Sequence, residues 1–358
     1  MIVSASRRTD IPAFFGDWFV NRIKEGFVMY RNPMRPSQIF AISLAPDDVD
    51  AFVFWTKNPA PFIDSIKYLD DYVYYFQFTL NPYDKSFEPG LPEKDVLIET
   101  FANLSSMIGK DAVIWRYDPV IITDKMDISY HRENFERLAE KLSAYTKKCV
   151  VSYVDFYGKA VPALNKIGAK DLSHDEILEV LYDLSKIAKK YNLEVESCAE
   201  EADVSQIGIK KAHCIDGELI KLLRMKKGLE TSKEFLKDKN QREACGCVQS
   251  IDIGIFNTCR HFCIYCYANH HKGHILNNLK AYDVNSPALC SRVDWENDEV
   301  RIRLEKSSFK VEKEDLFSED SFEKPQELCF WQDQDAEDER KKKLLSKLKK
   351  AAMAAKRA

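Results

Sequence analysis

Residues 50–80 read DAFVFWTKNPAPFIDSIKYLDDYVYYFQFTL. The two ends of this stretch, 50–55 and 73–80, are rich in β-branched and aromatic residues and predict buried strands. Between them, the apolar residues of 61–69 indicate a helical segment. A strand, a helical segment and a second strand in direct succession are typical of a βα unit, whose two strands run parallel.

The same alternation extends in both directions from this stretch. The other predicted strands are 1–6, 112–116, 149–154, 193–198 and 250–254. The other predicted helices are 11–25, 93–108, 132–143 and one that begins with a capping box of Ser173 and Glu176. No glycine-rich phosphate loop follows the first strand, which argues against a dinucleotide-binding fold. We therefore expect an α/β protein built as a (β/α) barrel, TIM-like or partial.

Composition excludes several classes of protein. The chain has 358 residues and a net charge of -4, so no global field favours nucleic acid or an anionic membrane. No apolar run approaches the roughly 18 residues that a membrane-spanning helix needs. The first residues lack the layout of a signal peptide. We expect a cytoplasmic protein without membrane contact.

The C-terminal part differs in composition from the rest. We predict a barrel over residues 1–300, which includes a cysteine-rich region at 198–270, and a charged tail over 301–358 that is partly helical or disordered. The tail ends in a Lys/Arg/Ala-rich run. That run could contact nucleic acid, although a solvated helix is the stronger interpretation.

Polar side chains follow nearly every predicted strand. They are Arg7, Arg8, Asp10, Thr56, Lys57, Asn58, Gln77, Thr79, Asn81, Arg116, Asp118, Ser152, Asp155, Glu196 and Glu200. Strand ends often meet water and are polar for that reason alone. In a parallel barrel, however, the carboxyl ends of the strands surround one site, and so many charges together favour a shared polar site.

The cysteines are unevenly distributed. Of ten, seven lie between positions 198 and 266, and we interpret Cys149, Cys290 and Cys329 as ordinary thiols. In a protein that is not secreted, clustered cysteines point to metal or redox chemistry rather than to disulfides.

Three of the seven cysteines form a C-x3-C-x2-C motif, Cys259-Arg-His-Phe-Cys263-Ile-Tyr-Cys266. Three thiolates can hold a [4Fe-4S] cluster and leave one iron open. An open iron can chelate S-adenosylmethionine and pass an electron to its sulfonium, which releases a 5′-deoxyadenosyl radical. A zinc site completed by His261 or His270 is an alternative, and chance spacing is another.

The remaining four of the seven are Cys198, Cys214, Cys245 and Cys247. Together they could bind a second [4Fe-4S] cluster or a zinc ion. The alternative, that some of them are plain buried thiols, stays open.

Several separated motifs resemble one family. They are Ser4-Ala-Ser-Arg-Arg-Thr-Asp-Ile-Pro12, Phe54-Trp-Thr-Lys-Asn-Pro59, Trp115-Arg-Tyr-Asp-Pro119, and 245–254 running on to Cys263-Ile-Tyr-Cys-Tyr-Ala-Asn269. These motifs, over roughly residues 1–275, resemble the DUF1848 family, a group without an assigned reaction. The family in turn resembles radical SAM proteins, and the cysteine motif is similar to that of spore photoproduct lyase. The motif follows the last strand here, as in a circular permutation, and no Gly-Gly-Glu stretch is present.

The resemblance implies a radical SAM-type enzyme with an unidentified substrate. We assign Arg7, Arg8 and Lys57 to a cationic wall for an anionic small-molecule or nucleotide-like substrate. Other side chains are assigned to the cofactor: Arg116 and Asp118 to the S-adenosylmethionine carboxylate and ribose, and Tyr265 and Tyr267 to stacking on adenine or shielding the radical.

Such an enzyme needs an electron donor such as ferredoxin or flavodoxin. Two alternatives from other classes stay open. One is an iron–sulfur protein that transfers electrons or senses redox state without catalysis. The other is a zinc-stabilised module that binds nucleic acid through the basic tail.

Overall fold

The computed structural model describes residues 1–156, 158, 160–198, 200–304, 308–317 and 332–357, so Cys329 lies outside the described residues. In chain order the strands are β1 (Ile2–Ala5), β2 (Phe27–Arg31), β3 (Gln38–Ser43), β4 (Ala51–Thr56), β5 (Tyr74–Thr79), β6 (Val113–Val120), β7 (Lys148–Tyr153), β8 (Glu194–Ser197), β9 (Lys210–Lys211), β10 (Ile251–Asp252), β11 (Glu299–Arg303) and β12 (Ser308–Lys310).

Helices connect most of these strands. In chain order they are α1 (Ile11–Phe14), α2 (Gly16–Glu25), α3 (Lys94–Ile108), α4 (Ile128–Leu142), α5 (Val161–Lys166), α6 (His174–Lys190), α7 (Gly217–Lys226), α8 (Lys272–Leu279), α9 (Lys313–Phe317) and α10 (Gln332–Arg357). The predicted helix 11–25 is divided into α1 and α2 at Phe15, and the segment Ala60–Leu69 is a 3₁₀ helix. The predicted capping box of Ser173 and Glu176 is present at the start of α6.

The larger sheet contains eight strands among the described residues, in the order β10-β1-β4-β5-β6-β7-β8-β9. All of its neighbouring pairs are parallel. This confirms the α/β class, and the seven predicted strands all lie in this sheet. Strands β9 and β10 form its two edges in the described part of the chain, so closure into a barrel stays a prediction.

The two faces of this sheet are covered differently. On one face Phe52, Phe76 and Trp115 pack into the main core with the helices. On the opposite face, which we call the inner face, Tyr75 and Ile114 pack in a second core. That second core also takes Ala212, Cys214, Cys245 and Cys247 from the segment between β9 and β10. Because successive residues of a strand point to opposite faces, this alternation fixes which side chains face that segment.

A smaller sheet, in the order β12-β11-β3-β2, was not predicted. Strand β11 crosses the predicted domain boundary at 300/301 and pairs in parallel with β3. The charged tail is helical over α10, which agrees with the prediction of a partly helical tail. Its side chains Leu344, Leu345 and Leu348, however, are buried against this sheet. The tail therefore shares a third core with β2 and β3, whereas the sequence favours a solvated helix for its basic run.

The position of β1 brings distant parts of the chain together. It lies between β4 and β10, with Val3 opposite Ile251 and Ser4 opposite Asp252. The cysteine motif follows β10 directly. The first and last strands of the larger sheet therefore place the N-terminal motif beside the cysteine motif.

Candidate metal and substrate site

A cavity of about 1290 Å³ opens at the carboxyl ends of the parallel strands. All fourteen side chains that the sequence assigned to the site line it. The set comprises the seven cysteines and the seven other side chains: Arg7, Arg8, Lys57, Arg116, Asp118, Tyr265 and Tyr267. The fold thus brings the predicted residues to one place, whereas the role of each stays a prediction.

The loop after β1 is fixed by one carboxylate. Asp252, at the end of β10, accepts hydrogen bonds from Ser4 Oγ at 2.9 Å, Ser6 Oγ at 2.7 Å and the Arg7 backbone N–H at 2.7 Å. Arg7 in turn donates to Ser250 Oγ at 3.0 Å. These bonds join the N-terminal motif to the last strand and orient Arg7 at the cavity wall.

A second carboxylate joins three motifs. Asp10 caps α1 by accepting from the Ala13 N–H at 2.9 Å. Its other oxygen, Oδ2, accepts from the Lys57 N–H at 2.8 Å and lies 2.7 Å from His261 Nε2. Because all three partners are backbone or ring groups with little freedom, Asp10 positions both the residues after β4 and the cysteine motif.

Cys259, Cys263 and Cys266, the first thiol group, line the cavity from residues 259–266, which we call the cysteine loop. Burial raises the pKa of Cys263 to about 12, although nearby Lys57 acts in the opposite direction. Burial also raises the pKa of Cys259 and of Cys266. The three groups are therefore neutral thiols without a cation, and a bound cation would favour their thiolate forms.

Glu88, in the loop after β5, was not predicted from the sequence. Its side chain is 1% exposed and accepts from Lys57 Nζ at 2.9 Å, from Lys94 Nζ and from the Tyr265 hydroxyl. Burial alone would raise the pKa of Glu88, but Lys57 and Lys94 hold it at about 2. No motif marks this glutamate, and its position in a Pro/Gly-rich loop after a strand was the one available signal.

The same loop lies directly against the cysteine loop. The Gly90 N–H donates to the His261 carbonyl at 2.9 Å, and the Ile264 N–H donates to the Phe87 carbonyl at 3.1 Å. A Cβ atom at Gly90 would lie 2.5 Å from the Arg260 carbonyl oxygen and 2.7 Å from His261 Cα. Since both contacts are with backbone, position 90 accepts no side chain without displacing the cysteine loop.

Cys198, Cys214, Cys245 and Cys247 form the second thiol group. The Sγ atoms of Cys198 and Cys214 are 3.3 Å apart. Hydrogen bonding with Cys247 lowers the pKa of Cys245 to about 7, and Cys247 also acts on the pKa of Cys214. Across the described residues, no three His, Cys, Asp or Glu side chains are already arranged to hold a metal ion.

Arg116 lies beside the second thiol group. Its Nη1 donates to Cys214 Sγ at 2.8 Å, and its Nη2 pairs with Asp118, which also accepts from Ser152 Oγ. Burial alone would lower the pKa of Arg116, but Cys214 and Asp118 raise it well above its usual value. The assignment of Arg116 and Asp118 to S-adenosylmethionine stays a prediction, because their contacts here are with a thiol, a hydroxyl and each other.

Trp55 lies between two cations of the cavity wall. Its ring centroid is 5.7 Å from the Arg7 guanidinium carbon and 5.0 Å from that of Arg116. Three buried polar atoms of cavity-lining residues lack a hydrogen-bond partner among the described residues: Thr9 Oγ1, Trp55 Nε1 and His261 Nδ1. These atoms are available to a ligand.

Parallel strands whose carboxyl ends border a thiol-lined cavity are typical of the α/β proteins that have their ligand site at the strand ends. The chain belongs to the family described as "Domain of unknown function (DUF1848)", whose sequence model matches residues 2–268. That region includes both thiol groups and every residue of the predicted site.

One similar solved structure is described as a putative α-L-fucosidase from Bacteroides thetaiotaomicron. The two chains are 10% identical, and the aligned region covers 66% of this chain and 83% of the other. The TM-score is 0.25. No curated protein matches the chain. In the described part of the chain, no helix is long and apolar enough to cross a membrane.

Proposed function

We propose that this chain is a radical SAM-type enzyme in which Cys259, Cys263 and Cys266 bind a [4Fe-4S] cluster. When bound, such a cluster supplies an open iron for S-adenosylmethionine and an electron that starts radical chemistry. The observation that carries the proposal is the position of all three thiols on the wall of a large cavity that Arg7, Arg8 and Lys57 also line.

The residues present fit such a cluster in several respects. The three thiols are close enough to shift one another's pKa, and they come from one loop. Soft thiolate ligands favour iron–sulfur clusters. His261 Nδ1 is buried beside them with no partner among the described residues. No metal geometry is preformed among the described residues, so binding would rearrange the three side chains and release their protons.

The cavity also fits an organic substrate next to a cofactor. Its volume of about 1290 Å³ exceeds the roughly 300–1,000 Å³ that is usual for a pocket holding one small molecule. Arg7, Arg8 and Lys57 contribute positive charge to its wall. We therefore propose an anionic small-molecule or nucleotide-like substrate. We further propose a (β/α) barrel as the architecture around it, which the parallel succession of β1, β4, β5, β6, β7 and β8 supports.

The chain's own residues would bind and orient the cofactor and the substrate. Burial alone would lower the pKa of Lys57, but Glu88 and Cys263 raise it, so Lys57 stays protonated beside the cysteine loop. Tyr265 accepts from Lys57 at 2.9 Å and donates to Glu88, which fixes its ring at the wall. Tyr267 donates to the Arg7 carbonyl at 2.7 Å. These bonds hold the aromatic and cationic groups in fixed positions before a ligand arrives.

The test is anaerobic purification and reconstitution of the full chain, with iron, sulfide and zinc measured. EPR spectra of the reduced protein are then recorded with and without S-adenosylmethionine, and with reduced ferredoxin or flavodoxin as electron donor. The expected result is at least about four irons per chain and a spectrum that changes when S-adenosylmethionine is added.

Other outcomes would contradict the proposal in distinct ways. Iron without any response to S-adenosylmethionine would favour the electron carrier or redox sensor. Zinc in place of iron at the first thiol group would favour a structural site. Binding of nucleic acid that is lost on removal of residues 332–358 would favour the zinc-stabilised module.

A further inference from the structure

We infer that the second thiol group binds one divalent metal ion of the zinc class through four thiolates, and that this ion is structural. The first and second thiol groups share no ligand, so this inference stands apart from the proposed function. The sequence alone left a second cluster, a zinc ion and plain thiols open for these four residues.

The separation of the sulfur atoms favours a single ion. Four sulfurs at about 2.3 Å from a tetrahedral zinc ion lie about 3.8 Å from one another. The Cys198 and Cys214 Sγ atoms are 3.3 Å apart, so binding requires only a small increase in this distance. In a cubane cluster each thiolate binds a different iron, and the sulfurs of two ligands cannot touch. The observed contact therefore favours one ion over a second cluster.

The groups around the sulfurs also suit thiolates. Arg116 Nη1 donates to Cys214 Sγ at 2.8 Å, and the Ile215 N–H donates to Cys247 Sγ at 3.3 Å. Such N–H donors orient the ligands of a metal site and partly neutralise them. On binding, the ion displaces the thiol protons to solvent, which leaves four thiolates and a divalent cation with a net charge of −2. The buried guanidinium of Arg116 offsets part of that charge.

The thiols come from segments that an ion would tie together. Cys198 directly follows β8, and its N–H donates to the Val151 carbonyl at 2.9 Å. Tyr75 on β5 donates to the Cys214 carbonyl at 2.8 Å and accepts from the Asp216 N–H at 2.9 Å. The ion would thus link the end of one strand to the segment that covers the inner face of the sheet.

Gly246 allows Cys245 and Cys247 to reach this position. A Cβ atom there would lie 2.2 Å from His213 Cδ2 and 3.0 Å from the Ala212 carbonyl oxygen. The close approach means that the Cys-Gly-Cys turn packs its backbone against residues 212–213. That packing brings two thiols to a third on the adjacent segment, Cys214.

The first experiment measures zinc and iron in the full chain, purified anaerobically from cells supplied with both metals. We expect about one zinc per chain. The zinc X-ray absorption spectrum should show four sulfur ligands at about 2.3 Å from the metal. Cobalt(II) exchanged into the same protein should show the intense charge-transfer absorption of a tetrathiolate site. Both spectroscopic readouts use the unaltered chain, so they do not depend on a variant that folds.

The variants then assign the ligands. Cys214→Ser should remove most of the zinc while iron at the cysteine loop is retained, and Cys263→Ala should do the reverse. Cys149→Ala, a buried thiol outside both groups, is the control and should retain both metals. A second cluster in place of zinc, a zinc shell with nitrogen or oxygen ligands, or a Cys198–Cys214 disulfide would each overturn the inference. Failure of the proposed function would instead appear as missing iron or a missing response to S-adenosylmethionine, with zinc unchanged.

Discussion

The two thiol groups are built in opposite ways. Cys259, Cys263 and Cys266 come from one loop of eight residues and face an open cavity. The second group is drawn from three separate parts of the chain, and Cys214 and Cys247 are 1% and 2% exposed. A group on one loop can change its spacing when it binds, whereas a group gathered from several segments is held by the fold. The difference is that expected between an exchangeable reactive centre and a structural one.

The strongest test of this difference is Cys263→Ala. We expect iron to fall from about four atoms per chain to background, because two remaining thiols cannot hold a cubane. Zinc content and the far-UV circular dichroism should not change. Equal loss of both metals would mean that the two groups form one centre.

Glu88→Gln tests how far the first group depends on its surroundings. The change leaves Lys57 and Lys94, whose side chains are 17% and 18% exposed, without their anionic partner. This should lower the free energy of unfolding by roughly 3–5 kcal/mol. Denaturant unfolding measures this loss. Glu93→Gln, in which the replaced side chain is exposed, should change stability little. If the two variants unfold alike, the buried charge network does not support the cysteine loop.

An acid titration separates metal loss from unfolding. Burial lowers the pKa of His131 to about 4, and the ring is held neutral between the Tyr117 hydroxyl at 2.7 Å and the Ile121 carbonyl at 2.9 Å. Between pH 6.5 and 4 the unfolded chain therefore binds the extra proton. The contribution of His131 to the free energy of unfolding should be fully present above pH 6.5. It should fall by about 3 kcal/mol as the pH drops to 4.

His131→Gln offers an amide oxygen to the Tyr117 hydroxyl and an amide N–H to the Ile121 carbonyl but does not titrate, so it should flatten this pH dependence. If the parent chain and His131→Gln lose metal at the same pH, protons have displaced the metal from the thiols. If only the parent chain loses metal, the loss follows from its unfolding. An unchanged slope in His131→Gln would rule out His131 as the source of the acid sensitivity.

Gly90→Ala should have the smallest effect. The added methyl group meets the Arg260 carbonyl and His261, so the cysteine loop must shift. We expect a stability loss of about 1–3 kcal/mol and weaker retention of iron, with zinc unaffected. Gly158→Ala is the control, because a Cβ there has no neighbour within 4 Å. Full iron retention in Gly90→Ala would show that the loop tolerates the displacement.

The sequence predicted the parts of the molecule that depend on local pattern. The seven strands of the larger sheet appear as apolar runs, and the first thiol group appears as a spacing within eight residues. In the smaller sheet, the pairing of β3 with β11 has no local signal, since Gln38 lies opposite Glu299. Strands β2 and β3, in contrast, form an antiparallel pair from two neighbouring apolar runs, so this part could have been predicted from local pattern. The contacts of Glu88 were missed because Lys57 and Tyr265 lie on other segments.

The place of β1 between β4 and β10 has a consequence for biosynthesis. Its partner Asp252 is made 248 positions after Ser4, so the N-terminal motif leaves the ribosome long before the strand that fixes it. The second thiol group is complete only when residue 247 has emerged, and the first only at residue 266. Any metal carried by either group is therefore delivered late in translation or after it, to a chain in which β1 and β4 to β9 are already made.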